Sequence, residues 1–141
     1  MTKSQKNIKI IRDILDDEIQ GNVESALEKM HKNYSMTWIY KRRDGALFPR
    51  VSAKDVHKTM GKVYKIKNRK YEIRNIVAND KTVIAEMIES YPDPETKKVY
   101  RTPIVIVWEF KNGKIKTGRH YCDPQLSSEN LSENQIEKIY K

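Results

Sequence analysis

The feature that most constrains this chain is a hairpin signal near its C-terminal end. Asn112-Gly113 separates a run of alternating apolar residues that ends at Phe110 from a second β-patterned run that ends at Asp123. A type I′ turn needs positive φ at both central residues, so Asn-Gly between two such runs is the strongest short-range hairpin signal. We therefore expect two long antiparallel strands here.

Hydrophobic periodicity predicts that the N-terminal part of the chain is helical. Apolar residues at spacings of three and four predict a first helix over residues 7–20, with its acidic residues, Glu18 among them, turned away from the core. Gly21 suits the left-handed residue that ends such a helix. Asn22 can cap a second helix that runs to about Met30.

The rest of the chain predicts a mixture of strands and helices. In order these are a strand over 34–40, a helix over 52–64, strands over 71–78, 82–91, 99–110 and 114–123, and a short helix that begins after Ser132. This order predicts an α+β fold, in which N-terminal helices pack on a strongly bent antiparallel sheet with a cavity between the layers. We expect one domain over residues 1–141, with its core at about 5–126 and a C-terminal helical tail over 127–141.

Several classes of protein are disfavoured by composition. The polar N-terminus lacks a secretory signal, and the longest apolar run is too short to cross a bilayer, so we expect no membrane association. The single cysteine, Cys122, excludes an internal disulfide and fits a reducing, cytoplasmic compartment. His31, His57 and His120 lack the spacing of metal ligands, and there is no glycine-rich phosphate loop. We therefore expect neither a metal nor a cofactor.

The net charge of +9 comes from one segment of the chain. Residues 41–75 hold twelve Lys and Arg against three acidic residues, while the remainder is balanced. A concentrated positive field can attract nucleic acid, an acidic partner or an anionic ligand. The anion patch that this predicts consists of Lys54, Lys58, Lys62 and Lys65. The same lysines equally fit the solvated face of one helix.

Five different short motifs occur along the chain in a recognisable order. They are Gln20-Gly21-Asn22, Ala26-Leu27, Pro49-Arg50, Lys111-Asn112-Gly113-Lys114-Ile115 and Tyr121-Cys122-Asp123-Pro124. Over about residues 5–126 this order resembles the SnoaL-like branch of the NTF2-like superfamily. The resemblance implies a conical sheet wrapped around a helix, an apolar pocket, and frequent homodimerisation through sheet surfaces. It also implies a scaffold shared by isomerases, cyclases, epoxide hydrolases and non-catalytic binders.

The resemblance is uneven at the residues that carry chemistry. The acid–base Asp of the SnoaL-like cyclases aligns with Asp123, but the position of their frequent histidine holds Gly118. Steroid-isomerase chemistry is disfavoured, because Ile14 stands where that chemistry requires Tyr. The Asp-Arg-Asp arrangement of the superfamily's epoxide hydrolases has matches in charge type only, at Arg101, Arg119, Glu86 and Asp123.

The last strand holds the predicted catalytic residues. Because side chains alternate along a strand, Arg119, Tyr121 and Asp123 share one face and His120 lies on the other. We expect the Arg119 face to point into the cavity, although a bulge would reverse this. Asp123 would then carry the proton, with Arg119 and Tyr121 as polar orienters. The alternatives are that Asp123 caps the following turn and that Arg119 forms a structural ion pair.

Six further residues are candidates for the pocket. Tyr34, Trp38 and Tyr40 alternate onto one face of their strand and predict an aromatic wall for a flat or cyclic ligand. The other three are His57, Glu86 and His120. His57 fits packing beside the core as well as a pocket, Glu86 fits a pocket acid or an outward residue on a dimer face, and His120 fits an interface or surface.

Two classes of function therefore stay open. The first is a small-molecule-binding protein that acts as a cofactor-free acid–base enzyme of the cyclase, isomerase or hydrolase type on a small, anionic organic substrate. The second is a non-catalytic ligand-binding or dimerisation module, whose basic 41–75 segment contacts nucleic acid or an acidic partner. A homodimer is expected in either case.

Overall fold

The computed structural model describes residues 1–42, 44–52, 55, 58–59, 61–62, 65–127 and 129–141. The helices are α1 (Lys3–Gln20), α2 (Val23–Glu28), α3 (Pro124–Ser127) and α4 (Glu133–Tyr140). The strands are β1 (Met30–Trp38), β2 (Val51–Ser52), β3 (Lys70–Ala78), β4 (Thr82–Pro92), β5 (Val99–Lys111) and β6 (Lys114–Cys122). Within the predicted helix over 52–64, residues 55, 58–59 and 61–62 are helical, and 53, 54, 56, 57, 60, 63 and 64 lie outside the described residues. No described helix is both long and apolar enough to cross a bilayer.

Local signals determine where α1 begins and ends. Thr2 and Gln5 form a reciprocal capping box, so the helix starts four residues earlier than its apolar pattern predicts. Gly21 adopts the predicted left-handed conformation, with φ of 74°, and its backbone N–H bonds back to the last turn of α1. The Asn22 side chain accepts from the Ser25 backbone N–H and caps α2.

The sheet has the strand order β2-β1-β6-β5-β4-β3. The four long C-terminal strands pair antiparallel in sequence order, whereas β1 runs parallel to β6. The α+β class, the N-terminal helices on the sheet and the short C-terminal helix are confirmed. The sheet differs from the expectation in being mixed rather than wholly antiparallel, and it does not close into a barrel.

Helices cover both faces of the sheet. On the inner face, Ile11, Ile14 and Leu15 of α1 pack against a core that includes Met87 and Trp108. On the outer face, the C-terminal segment buries Leu131 and Ile136 against Ile88 of β4. Alternate residues of β4 thus face α1 and α4, as the pleat of a strand requires.

The predicted Asn112-Gly113 hairpin is present, with φ of 52° and 74° at its two central residues. Directly after it the register shifts: Phe110 pairs with Ile115, but Glu109 pairs with Thr117. Lys116 is therefore one extra residue on β6, which is the signature of a β-bulge. Beyond the bulge, the faces of β6 are exchanged relative to a regular strand.

Candidate functional site

A cavity of about 240 Å³ lies between α1 and the inner face of the sheet. Its ring-bearing lining residues are Tyr34, Trp38, Tyr40, Tyr71, Tyr91, Trp108 and His120. Ile106, Tyr34 and Trp108 are only 5–6% exposed, so this part of the wall is closed from solvent. A mainly apolar cavity with a few polar groups is the usual form of a small-molecule site.

Glu18 of α1 brings a carboxyl group into this cavity. It follows Ile11, Ile14 and Leu15 at helical spacing, so it lies on the buried stripe rather than on the polar face predicted for it. Its side chain is 16% exposed. The sequence-based assignment of Glu18 to the outer face is therefore wrong, because helix geometry outweighs the polarity of the residue.

A second carboxyl group comes from Glu89 of β4. Val83, Ala85 and Met87 point into the core, and Glu89 continues the same alternation to the cavity wall. The side chain of Glu89 is also 16% exposed. One helix and one strand thus place two acids among the described lining residues of the cavity, which are otherwise mainly apolar and aromatic.

Tyr71 and Arg69 join the two carboxyl groups. The Tyr71 hydroxyl oxygen lies 2.5 Å from Glu18 Oε1 and 2.9 Å from Glu89 Oε2. Arg69 Nη1 donates to the same Glu89 Oε2 at 2.7 Å, and Arg69 Nε lies 3.7 Å from Glu18 Oε1. The guanidinium is 5% exposed and stacks 4.9 Å above the ring of Tyr91. We call Glu18, Arg69, Tyr71 and Glu89 the carboxyl cluster.

The contacts within the carboxyl cluster define where its protons lie. Tyr71 has one hydroxyl proton, which can serve only one of its two short contacts. Glu89 Oε2 accepts from Arg69 Nη1 in a charge-assisted hydrogen bond. The Tyr71 hydroxyl is placed to donate to Glu18 Oε1 or to Glu89 Oε2, and when it donates to Glu89 the short contact with Glu18 calls for a proton on Glu18. The cluster then holds one acidic proton and one carboxylate.

The pKa of Glu18 agrees with this assignment. Burial is the largest influence and raises the pKa from 4.5 to about 7, and the negative charge of Glu89 adds to the rise. Tyr71 and Arg69 act in the opposite direction without cancelling it. A carboxyl group with a pKa near neutrality can give and take protons at physiological pH.

His120, Cys122 and Tyr40 form a second, weakly polar corner of the cavity. Burial lowers the pKa of His120, which therefore stays neutral. Burial raises the pKa of Cys122 to about 11 and that of Tyr40 to about 12. The Tyr40 ring also packs edge-on against Phe48 at 5.0 Å. These groups add hydrogen-bonding capacity without adding charge.

The wall is tightly packed around Gly118. A Cβ at this position would lie 2.6 Å from Met36 Sδ, 3.2 Å from the Tyr34 hydroxyl and 3.4 Å from Trp108 Cδ1. The Tyr34 hydroxyl donates to Met36 Sδ at 3.3 Å. A larger residue here would force the Met36 side chain to move, because β1 and β5 side chains occupy the space that a Cβ would need.

The three predicted catalytic residues of β6 do not line the cavity. Arg119 pairs with Glu109 at 3.2 Å on the outer face, and Tyr121 is 39% exposed. Asp123 is exposed, and its Oδ1 accepts from the Gln125 backbone N–H, which is the capping role of the alternative interpretation. His120, expected to face outward, is 8% exposed and lines the cavity. The predicted orientation is wrong because the bulge at Lys116 exchanges the two faces.

The remaining candidate residues lie in different parts of the molecule, and three of them line the cavity. Glu86 lies on the outer face between Ala85 and Met87, so it is not a pocket acid. Lys58, Lys62 and Lys65 are exposed. Lys54 and His57 lie outside the described residues. Tyr34, Trp38 and Tyr40 all line the cavity.

Sequence reasoning missed all four residues of the carboxyl cluster. Signals for two of them were present: Glu18 continues the stripe of Ile11 and Leu15, and Glu89 shares the parity of Met87. Arg69 stood in a basic segment that is typical of a solvated surface. Tyr71 carried no distinguishing signal, since its importance depends on groups more than fifteen residues away in sequence.

Comparisons with known proteins identify the fold. A candidate isomerase from Bacillus subtilis is 20% identical, with a TM-score of 0.76 over 89% of this chain and 92% of that one. A Mycobacterium tuberculosis LEH-like epoxide hydrolase is 13% identical, with a TM-score of 0.73 over 99% and 98%. An NTF2-like protein from Burkholderia xenovorans is 13% identical, with a TM-score of 0.71 over 92% and 98%. No protein-family model and no curated protein matches the sequence.

At these identities, the likeness shows the fold and not the chemistry. The chain has the NTF2-like fold, as the sequence motifs indicate. This scaffold carries different activities in different proteins, so the function must be argued from the carboxyl cluster and the cavity around it.

Proposed function

We propose that this protein is a cofactor-free acid–base enzyme that adds water to a small organic molecule, with Glu18 as the proton donor and Glu89 as the base. The observation that carries the proposal is the Tyr71 hydroxyl, held 2.5 Å from Glu18 Oε1 and 2.9 Å from Glu89 Oε2. Two carboxyl groups in different protonation states can act as acid and base in the same step.

Opening of an epoxide is the reaction that best fits this pair. Glu89 takes a proton from a water molecule while the water oxygen bonds to one ring carbon. The bond between that carbon and the ring oxygen breaks, and the ring oxygen takes the proton of Glu18. The product is a diol, and Glu89 is left protonated while Glu18 is left ionised. Tyr71 touches both groups, so it can pass a proton from Glu89 back to Glu18 and restore the starting state.

Arg69 supports this cycle by positioning rather than by proton transfer. Its guanidinium stays charged and donates to Glu89 Oε2 at 2.7 Å, which stabilises the ionised base. The stacking on Tyr91 at 4.9 Å fixes the plane of the guanidinium. Arg69 therefore keeps the two carboxyl groups in unlike states.

Two of the structurally similar proteins are named for reactions that this pair of acids could perform. The epoxide hydrolase from M. tuberculosis matches 99% of this chain in structure. The candidate isomerase from B. subtilis favours a second function, isomerisation, in which the same pair moves a proton from a carbon to an oxygen without adding water. Both functions use Glu18 and Glu89, and they differ in whether the product gains an oxygen atom.

Isotopically labelled water separates the two functions. We would incubate the protein with cyclohexene oxide and styrene oxide in oxygen-labelled water and identify products by mass spectrometry. Diols with one labelled oxygen support hydration, and products of unchanged mass support isomerisation. No conversion of these or of a wider panel of epoxides and enones would favour the non-catalytic binding module.

Variants of Glu89 test the role of the cluster. Glu89→Gln removes the base, and we expect turnover to fall about 10²- to 10⁴-fold, the usual size of a general acid–base contribution. Glu109→Gln, which changes the same residue type on the outer face, should leave turnover unchanged. Equal losses in both variants would contradict the assignment.

Four expectations from the sequence stay predictions: a single domain, a homodimer, a cytoplasmic location and polyanion binding by residues 41–75. Light scattering coupled to size exclusion measures the oligomeric state. Retention on heparin, compared with that of a variant in which Lys58, Lys62 and Lys65 are changed to Gln, measures the polyanion affinity. Salt-sensitive retention that this variant loses would support the nucleic-acid alternative.

A further inference from the structure

The charged groups that face the cavity limit the charge of the ligand that it can bind. Among its described lining residues, the carboxyl-bearing side chains are Glu18 and Glu89, and Lys and Arg are absent. Arg69 lies beside the wall with its charge directed at Glu89. The exposed lysines of residues 58–65 are on the protein surface and not in the cavity. Among the residues that the structure describes, a positive surface segment therefore accompanies a cavity lining without a free cation.

The carboxyl cluster is neutral as a unit. Below its pKa of about 7 Glu18 is protonated, and the charge of Arg69 is paired with the Glu89 carboxyl group at 2.7 Å. A ligand carboxylate or phosphate beside this cluster would bring an uncompensated negative charge next to Glu89, within walls formed by apolar and aromatic groups. Burying a charge without a partner costs several kcal/mol or so, even after the protein relaxes.

The wall also limits what the rest of the ligand can be. Trp108, Ile106 and Ile115 are 1–6% exposed and form a dry apolar surface. An apolar ring or chain gains from contact with such a surface, since that contact removes it from water. The polar end then offers a donor at Glu18 to one oxygen atom of the ligand.

We propose that the cavity selects uncharged ligands that carry one oxygen acceptor on an alicyclic or aromatic body, and that it rejects carboxylates and phosphates of the same size. This inference rests on the proposed function for its site and deepens it by naming the ligand class. It replaces the anionic substrate expected from the basic 41–75 segment.

Three cyclohexyl compounds of nearly equal shape test the selection: cyclohexyl methyl ketone, cyclohexanecarboxylate and cyclohexylmethylammonium. The only two tryptophans of the chain, Trp38 and Trp108, both line the cavity, so fluorescence quenching reports binding directly. At about pH 6, which lies below the Glu18 pKa of about 7 but above the ordinary pKa of the ligand's own carboxyl group, we expect the ketone to bind at least about tenfold more tightly than the carboxylate. Equal or tighter binding of the carboxylate, or no binding of the ketone, would overturn the inference.

Raising the pH provides an internal control. The groups that face Glu18 are Tyr34, Arg69, Tyr71 and Glu89, and burial raises the pKa of Glu18 to about 7, so Glu18 loses its proton as the pH rises through that value. Once Glu18 ionises, the cluster gains a negative charge, so ketone affinity should fall and ammonium affinity should rise. Affinities that do not change across this range would contradict the charge count.

A double variant reverses the expected preference. Glu18→Gln with Glu89→Gln leaves Arg69 as an uncompensated cation, so the carboxylate should now bind more tightly than the ketone. Glu109→Gln is the matched outer-face control and should keep the wild-type preference. If the double variant does not fold, the wild-type comparison still decides.

These binding measurements are independent of turnover. Ketone selectivity without diol formation would sustain the ligand class while removing the proposed function. Diol formation together with equal carboxylate binding would sustain the proposed function while removing the ligand class.

Discussion

Two clusters of the same chemical groups lie on opposite faces of the sheet. On the inner face, Arg69 joins two glutamates and a tyrosine hydroxyl, and its side chain is 5% exposed. On the outer face, Arg119 and the Thr117 hydroxyl both contact Glu109, with side-chain exposures of 33% for Arg119 and 49% for Glu109. Both clusters combine arginine, glutamate and a hydroxyl group, but the inner one holds a second glutamate and is much less exposed to solvent.

The difference in burial moves the carboxyl pKa values in opposite directions. Burial raises the pKa of Glu18 to about 7 in the inner cluster. Hydrogen bonds from Thr117 and Arg119 lower the pKa of Glu109 in the outer one, where desolvation is a smaller effect. Water keeps the outer acid ionised and inert, whereas its exclusion gives the inner acid a proton to donate.

Removing the inner arginine should produce the largest difference in stability between the two clusters. Arg69→Met leaves Glu89 buried without its cation, and we expect the free energy of unfolding to fall by about 3–5 kcal/mol, as for other buried pairs that lose one partner. Urea titration at neutral pH measures the change. A loss below 1 kcal/mol or so would show that the inner cluster is as well solvated as the outer one.

The pH dependence of stability should also differ between the inner and the outer cluster. The pKa of Glu18 rises from 4.5 to about 7 on folding, so the folded state binds the extra proton. The contribution of Glu18 to stability is therefore fully present below pH 4.5 and is lost as the pH rises through 7. The total is at most about 3 kcal/mol, at roughly 1.4 kcal/mol per pH unit.

Variants isolate this contribution from other titrating groups. Glu18→Gln should remove the fall in unfolding free energy between acidic and neutral pH, as measured by urea titration across that range. Glu109→Gln should act in the opposite sense, because its lowered pKa contributes stability that is lost as the pH falls. The same slope in wild type and Glu18→Gln would contradict the raised pKa.

Packing of the cavity wall provides the next test. Gly118→Ala would place a methyl group 2.6 Å from Met36 Sδ, so we expect a loss of about 1–3 kcal/mol, the usual cost of overpacking. Gly61→Ala is the matched control, since a Cβ there meets nothing within 4 Å and alanine favours helix. Thermal unfolding of the two variants should therefore shift in opposite directions.

The smallest effect is expected at the outer pair. Arg119→Gln breaks a half-exposed ion pair, so the free energy of unfolding should change by about 0–1 kcal/mol. Turnover and ketone affinity should stay at wild-type values. A large loss of turnover would return Arg119 to the catalytic role first predicted for it.

Local signals in the sequence predicted the framework of the fold correctly. Asn112-Gly113, Gly21 and the start of the last helix after Ser132 depend on neighbours within four residues, so they can be read from the chain alone. The alternation of Tyr34, Trp38 and Tyr40 likewise predicted a wall that the cavity contains.

The candidate site was predicted poorly because it depends on distant contacts. One extra residue in β6, at Lys116, exchanged the faces and brought His120 inward in place of Arg119. The sequence-based prediction also assumed that a charged residue faces solvent, and it therefore assigned Glu18 to the wrong face of α1. The burial of Glu18 is made possible by Arg69 and Tyr71, about fifty residues further along the chain.

Infrared difference spectroscopy across neutral pH tests most directly whether Glu18 holds the proton of the carboxyl cluster. We predict a protonated-carboxyl band that titrates near pH 7, is absent from Glu18→Gln and persists in Glu109→Gln. A wild-type spectrum in which all carboxyl groups are already ionised well below pH 7 would contradict the assignment of Glu18 as the acid.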